Sequence, residues 1–342
     1  MSAPIDRAKA LAASAQAWRD PSHPARADAA ERTLRHNDLY TAEALAFAVN
    51  QAMHEASESA LRRWIGDRHA RASTLVGVWT EDPEPLAGWR ELLALALCGH
   101  RGAVRLPPTS PFLLPAFVAE VRAHDPTLDV RFEMTWDEVP AGTTLVLGSG
   151  SEEAMAALGS LCDRAGIPDD RRRLRGERIT VAVTDGRESP DERIGLAEDA
   201  LLHADARRRV GVLWAPEDHS PDPVLDALAG FRELFPAPPP LGGRLQMPRA
   251  FLQAAGTAHA WGEGFLVSKG PPEPQPAGHL RWAEYRTLGD VGEWLRAHPV
   301  ELVVVSDRLR SRLGWTGRTA APGDAHRPHL GGDDFFDLLG LR

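Results

Sequence analysis

The sequence predicts an α/β protein made of two successive α/β domains. Three observations carry this. Short apolar runs alternate with helix-period segments along most of the chain, and several of the runs are apolar throughout. The strand–helix pattern then restarts after a basic stretch at 171–175. Such alternation is the signature of a parallel sheet covered by helices on both faces.

The first thirty residues are rich in Ala, Arg and Asp and predict helical or frayed structure. Thr41 reads as an N-cap with Glu43 in the first turn. Leu45, Val49, Met53, Leu61, Trp64 and Ile65 supply the apolar face of one long or two short helices. Leu75 to Trp79 reads as a buried strand ended by Thr80-Glu81-Asp82-Pro83. Gly88 to Leu97 is a helix, with Gly99 where a helix C-terminal glycine belongs. Ala103 to Leu106 is a strand stopped by Pro107-Pro108, Phe112 to Ala123 a helix, and Val130 to Met134 a more exposed strand. Thr143 to Leu147 is a strand entering Gly148-Ser149-Gly150-Ser151, and Glu152 to Ala165 is the helix that follows. In the second half, Ile179 to Val183 and Val210 to Trp214 read as strands, and Asp191 to His203 and Pro221 to Phe235 as helices. Pro236 to Gly243 reads as a Pro/Gly loop. Phe265 to Ser268 and Trp282 to Tyr285 are short strands, Leu288 to His298 a helix, Glu301 to Val305 a β-branched strand, and Asp333 to Leu341 a short amphipathic helix.

At 342 residues the chain is long enough for two ordinary domains, and 43% hydrophobic with 25% charged residues fits a soluble globular protein. A net charge of −9 argues against nucleic acid or an anionic membrane surface as the partner. No apolar run approaches the length of a transmembrane helix, and Met1 to Asp20 lacks the basic start and apolar core of a signal peptide. Two cysteines, Cys98 and Cys162, both in helical segments, predict no disulfide framework and a reducing cytoplasm. Lysine occurs at Lys9 and Lys269 alone, which leaves almost none for catalysis or phosphate binding.

Few segments carry chemistry on their own. Gly148-Ser149-Gly150-Ser151 is a strand-to-helix turn whose backbone NH groups can meet a phosphate or admit a nicotinamide ring; equally it is a plain tight turn, since it matches neither GxGxxG nor a Walker A loop. Arg171, Arg172, Arg173 and Arg175 read as a phosphate site or a solvated basic face. Asp324, His326, His329, Asp333 and Asp334 are metal-ligand types in no zinc spacing, so no metal is expected. No Ser/His/Asp triad is legible.

Taken as one ordered series, the segments resemble the acyl-CoA reductases, the family that includes the fatty-acid reductase of bacterial luminescence, within the aldehyde dehydrogenase superfamily. Leu39-Tyr40-Thr41-Ala42-Glu43 resembles the family's helix start. Val76-Gly77-Val78, Pro85-Leu86-Ala87-Gly88-Trp89 and Cys98-Gly99-His100-Arg101 resemble its long "VG…IPLVGF…SGHK" segment. Leu147 to Ser151 is similar to its "ATGS" turn. Arg178 to Val183, with Asp185-Gly186 and Glu198-Asp199, resembles "NR.SVAVL.G…GED", and Pro322 to His326 with Gly332 to Phe335 resembles the terminal "FGQAQ…ADGVD". The resemblance covers nearly the whole chain. It implies an aldehyde-dehydrogenase-like fold of two Rossmann-like domains with an interdomain cleft. The expected ranges are 1–172 for N-terminal helices and a nucleotide-binding domain, 173–317 for a catalytic-type domain, and a tail, 318–342, that returns to the first.

Such enzymes reduce an acyl thioester to an aldehyde with NADPH or NADH. A cysteine thiolate forms an acyl-enzyme, an asparagine amide stabilises the oxyanion, and the nicotinamide delivers hydride. This sequence departs from the pattern at the chemical positions. The stretch matching "GCRNV" reads Asp205-Ala206-Arg207-Arg208-Arg209-Val210, which puts Arg207, or Ala206 after a one-residue slip, at the nucleophile. The loop matching "AGNIP" reads Glu81-Asp82-Pro83-Glu84-Pro85, so Pro83 stands at the amide donor. Arg105 matches a lysine that holds the adenosine ribose or its phosphate, and it joins Gly148, Ser149, Gly150 and Ser151 as the expected cofactor residues. Arg207 reads as an ordinary surface arginine or as a clamp for a phosphate or carboxylate. The expectation is an acyl-CoA reductase-like protein without thioester chemistry, retained to bind nucleotide or acyl-CoA, as a homodimer or paired with an active paralogue. An active reductase using a nucleophile not recognised in the sequence, or direct hydride transfer, stands as the competing reading.

Overall fold

The computed structural model describes residues 4–66, 68, 73–203, 205–206, 208–327, 330 and 339. The chain divides into two compact units, one of residues 1–37, 45–177 and 327–342, the other of 38–44 and 178–326.

In the first unit the N-terminal third is helical: α1 (Pro4–Ala17), α2 (Pro24–His36), α3 (Ala42–Glu55) and α4 (Glu58–Ile65). The Ala/Arg-rich start therefore forms two helices, and α3 and α4 are separate because Ser57 caps a new helix by accepting from the Ala60 NH. The sheet follows as β1 (Leu75–Thr80), α5 (Trp89–Cys98), β2 (Arg101–Arg105), α6 (Leu113–His124), β3 (Val130–Glu133), β4 (Thr143–Ser149), α7 (Glu152–Arg164) and β5 (Arg172–Arg175). Its order is β3-β2-β1-β4-β5, parallel throughout, which is the Rossmann order. The run Leu75–Thr80 is wholly apolar except at its end because β1 is the central strand and is buried on both faces. Gly77 sits where a Cβ would fall 2.8 Å from the Trp136 ring, so its lack of a side chain lets that indole lie on the sheet. At the C-terminus of α5, Gly99 adopts φ +72° and Arg7 from α1 donates to the Leu97 carbonyl at 2.9 Å, a cation on the negative end of the helix.

The second unit runs β6 (Ile179–Val183), α8 (Pro190–Leu201), β7 (Val210–Pro216), α9 (Asp222–Leu234), α10 (Pro239–Ala254), β8 (His259–Gly262), β9 (Phe265–Lys269), β10 (His279–Tyr285), α11 (Leu288–Ala297), β11 (Val300–Val305), α12 (Asp307–Arg310) and β12 (Thr319–Ala320). The sheet order is β12-β11-β6-β7-β10-β9-β8, parallel except for the β8–β9 hairpin. Its core joins Val181, Val212, Trp214, Val303 and Val305 from the strands to Val291 and Leu295 of α11.

Two expectations need correction. Residues 171–175 are not merely a basic face: 172–175 form β5 of the first sheet, with the Arg172 guanidinium 2.7 Å from both Asp163 and Asp169. That strand extends the first unit to residue 177, and β12, paired with β11, keeps 319–320 in the second. The Pro236–Gly243 loop is in large part helix: α10 begins at Pro239, where proline's fixed φ suits a first turn, and continues through Pro248. The helix expected at 333–341 lies outside the described residues, apart from Leu339. No helix among the described residues is long and apolar enough to cross a membrane.

Candidate functional site

In a parallel sheet of this order, β1 and β4 hand the chain to opposite sides, and the loops leaving their C-terminal ends part to form a ligand crevice. Four of the five expected cofactor residues, Arg105 and Gly148 to Gly150, meet there, and Ser151 begins the helix beside them. The Glu81 NH donates to the Ser149 carbonyl at 2.9 Å and joins the two strand ends. The Ser149 hydroxyl donates to Asp82 Oδ2 at 2.7 Å. Arg105, the last residue of β2, donates from Nη1 to Glu81 Oε1 at 3.0 Å, and its guanidinium lies 4.0 Å from the Trp79 ring centroid.

The glycines of the turn have packing reasons. A Cβ on Gly148 would fall 2.6 Å from Leu158 and one on Gly150 3.2 Å from Glu81, so both positions need a bare backbone for α7 and the β1 loop to close in. Ser151 caps α7 by accepting from the Ala154 NH at 3.1 Å. The cavity beside Gly148 and Ser149 measures about 10 Å³, room for roughly one water molecule.

The positions expected to carry catalysis divide between the units. Pro83 lies in the β1 loop of the first unit, where it offers no NH. Ala206 is buried in the second unit ahead of β7, and Arg207 lies outside the described residues. On either side, Asp205 takes a two-pronged bond from Arg244 at 2.8 and 2.9 Å, and Arg209 donates to the Gln275 carbonyl. Both sulfurs belong to the first unit: Cys98 ends α5, Cys162 lies within α7, and both are buried. Burial raises both thiols, that of Cys98 to about 12.

A second polar centre is not legible in the sequence as a centre, although Glu198-Asp199 and Pro322 to His326 stand there as separate motifs. Gly195, Asp199 and His203 follow one another along one face in and just past α8, at i, i+4 and i+8. The fully buried Asp199 carboxylate accepts from the Gly323 NH at 2.7 Å and the Ala325 NH at 2.9 Å. His326 Nε2 lies 3.1 Å from the Asp199 carbonyl, and its ring meets His203 edge to face at 5.3 Å. A Cβ on Gly195 would fall 2.6 Å from the Pro322 backbone. The cluster fastens the segment 322–326 to α8.

Burial pushes Asp199 up to about 7 and His326 down to about 4, and lowers His203 well below its ordinary value. Asp199 is raised in the folded state, so its contribution is full near its ordinary 3.8 and is lost as pH rises toward about 7. The histidines are depressed, so theirs is full above 6.5 and is lost as pH falls. Two histidines outweigh one carboxylate. Melting temperature is therefore expected to climb from about pH 5 to about pH 6.5 and then level off, and His326→Gln is expected to flatten that acid limb. An identical acid limb in the variant would remove the cluster from the account.

The two parallel sheets, one in Rossmann order, define an aldehyde-dehydrogenase-like α/β fold. No protein-family model matches the sequence, and no curated protein matches it. Solved structures do. A putative aldehyde dehydrogenase from Burkholderia cenocepacia is similar at TM-score 0.72 and 11% identity, over 100% of this chain and 86% of that one. An NAD-dependent benzaldehyde dehydrogenase from Corynebacterium glutamicum is similar at TM-score 0.70 and 14% identity, over 96% of this chain and 84% of that one. The bifunctional proline utilization A (PutA) protein is similar at TM-score 0.71 and 14% identity, over all of this chain and 41% of that one. At these identities the likeness fixes the fold alone.

Proposed function

We propose that this chain is an acyl-CoA reductase-like protein that retains a nicotinamide-nucleotide site on its first unit and has lost thioester reduction. The carrying observation is the state of the two sulfurs. Cys98 and Cys162 are buried in helices of the first unit with raised thiol pKa values, so neither is a ready thiolate. Thioester reduction on this scaffold needs a thiolate to hold the acyl group, and the matching positions, Arg207 or Ala206, offer none. Pro83 likewise offers no oxyanion donor.

The groups at the β1–β4 crevice fit a nucleotide of one kind. Glu81 and Asp82 present acceptors, and Arg105 and Ser149 present donors, which together suit the hydroxyls of a ribose. A phosphate at the same place would face two carboxylates, so the fit favours NADH over NADPH. A bound nicotinamide would supply hydride; the chain's own residues hold and orient the ribose and leave no acyl-enzyme to receive it.

Purified protein is expected to bind NADH, read by nicotinamide fluorescence, and to give no acyl-CoA-dependent NADH or NADPH oxidation across short to long acyl chains. Turnover of any acyl-CoA would sink the proposal. A second reading has its own support: with Ser149 engaged by Asp82, Arg105 by Glu81, and room for about one water beside Gly148 and Ser149, the crevice suits a subunit that docks on an active paralogue and binds no nucleotide. Absence of NADH binding, together with co-purification of such a paralogue from the native host, would favour it.

A further inference from the structure

We propose that the second unit carries a separate binding site for a small apolar carboxylate, between α10 and the β8–β9 hairpin. A cavity of about 340 Å³ opens there, within the size range of small-molecule sites. One wall is a single helix stripe, Gly242, Leu245, Gln246 and Arg249, at i, i+3, i+4 and i+7. The other is the hairpin, where the Phe265 ring lies across Gly262 so closely that a Cβ on that glycine would be 2.4 Å away. Gly242 leaves part of the cavity open, for a Cβ placed on it meets nothing within 4 Å.

The rim supplies the polar requirement. Trp261, on the edge strand β8, is 58% exposed although it is the largest side chain of the hairpin. The Arg249 guanidinium stacks on it at 3.5 Å from the ring centroid. Among the described residues no carboxylate comes within ion-pair distance of Arg249. Glu263 also lines the cavity, and its charge acts on the buried Arg232. A planar cation fixed on an indole at the rim of a cavity lined by Leu245, Phe265 and Leu266 is the arrangement that holds one carboxylate in two-pronged fashion with its apolar body against those side chains. One available cation with a carboxylate nearby disfavours a polyphosphate.

The shared chemistry admits an aliphatic or an aromatic body, and titration calorimetry on the full chain separates them with octanoate and naphthoate as probes and octanol as the uncharged control. At least one acid is expected to bind about tenfold more tightly than octanol, equivalent to about 1.4 kcal/mol. Arg249→Gln is expected to bring that acid down to the level of octanol. Gly242→Leu should fill the cavity and abolish binding of both, while thermal melting shows it at least as stable as the parent, because leucine replaces glycine inside a helix with space to spare. The proposal falls if neither acid binds, if octanol equals the acids, or if Gly242→Leu leaves binding intact. It also falls if sedimentation shows a dimer that Gly242→Leu dissociates, since the face then belongs to a second copy.

Discussion

Replacing Asp199 with Ala is expected to destabilise the second unit by about 2–6 kcal/mol, the cost of leaving two buried backbone NH groups without an acceptor at about 1–3 kcal/mol each. In a melting experiment that is a fall of roughly 5–20 °C. The carboxylate is fully buried, and its two oxygens take one NH each from Gly323 and Ala325, so no solvent replaces it. Burial of the charge offsets part of its worth, which is why its pKa rises to about 7. Asn keeps the shape and one carbonyl acceptor, so Asp199→Asn is expected to cost about half as much as Ala. Gly195→Val tests the same contact from its other end: a branched side chain there meets the backbone of Pro322, which cannot yield as a flexible side chain would. If Ala and Asn variants both melt with the parent, Asp199 is not what fastens 322–326.

That cluster also marks how far the sequence could be read. Glu198-Asp199 and Pro322 to His326 were each legible as motifs, but nothing in either says that a carboxylate in one meets the NH groups of the other. The contact spans more than a hundred positions and depends on backbone NH groups, which leave no trace in residue identity. The central strands were legible because burial on both faces demands continuous apolar runs, as in Leu75–Thr80 and Val210–Pro216. β5 was not: Arg172–Arg175 is an edge strand in which three of four residues are Arg, and charge on an edge discourages unwanted pairing. α10 was hidden by three consecutive prolines and a Gly pair, which read as a loop although proline fits a first helical turn. At the crevice, the Gly148–Ser151 turn was visible as a pattern. The acidic partners of its neighbours were not, since Glu81 and Asp82 looked like ordinary loop residues until pairing with Arg105 and Ser149 gave them a place.

On the proposed nucleotide reading, those partners set which nucleotide the crevice is expected to accept. In the parent, NADH is expected to bind more tightly than NADPH, because the Arg105 guanidinium is already neutralised by Glu81 at 3.0 Å and the Ser149 hydroxyl is held by the Asp82 carboxylate. Both members of the pair are largely shielded, with 13% and 30% of their side chains exposed, so the field is not simply screened away by salt. Glu81→Gln removes one negative charge and leaves Arg105 on the Trp79 face with its cation unopposed. NADPH affinity is then expected to rise about tenfold, equivalent to about 1.4 kcal/mol, while NADH weakens a few-fold through loss of a charged acceptor. Fluorescence titration of both nucleotides reads the ratio directly. An unchanged NADPH-to-NADH ratio in Glu81→Gln would mean that the carboxylate does not select, with nucleotide binding itself left standing. No binding of either nucleotide to parent or variant would instead remove the nucleotide reading and leave the chain as a docking subunit. Arg105→Ala separates the last ambiguity: if the arginine holds ribose hydroxyls, NADH affinity drops, and if its task is only to close Glu81 against the sheet, thermal stability drops while nucleotide affinity does not.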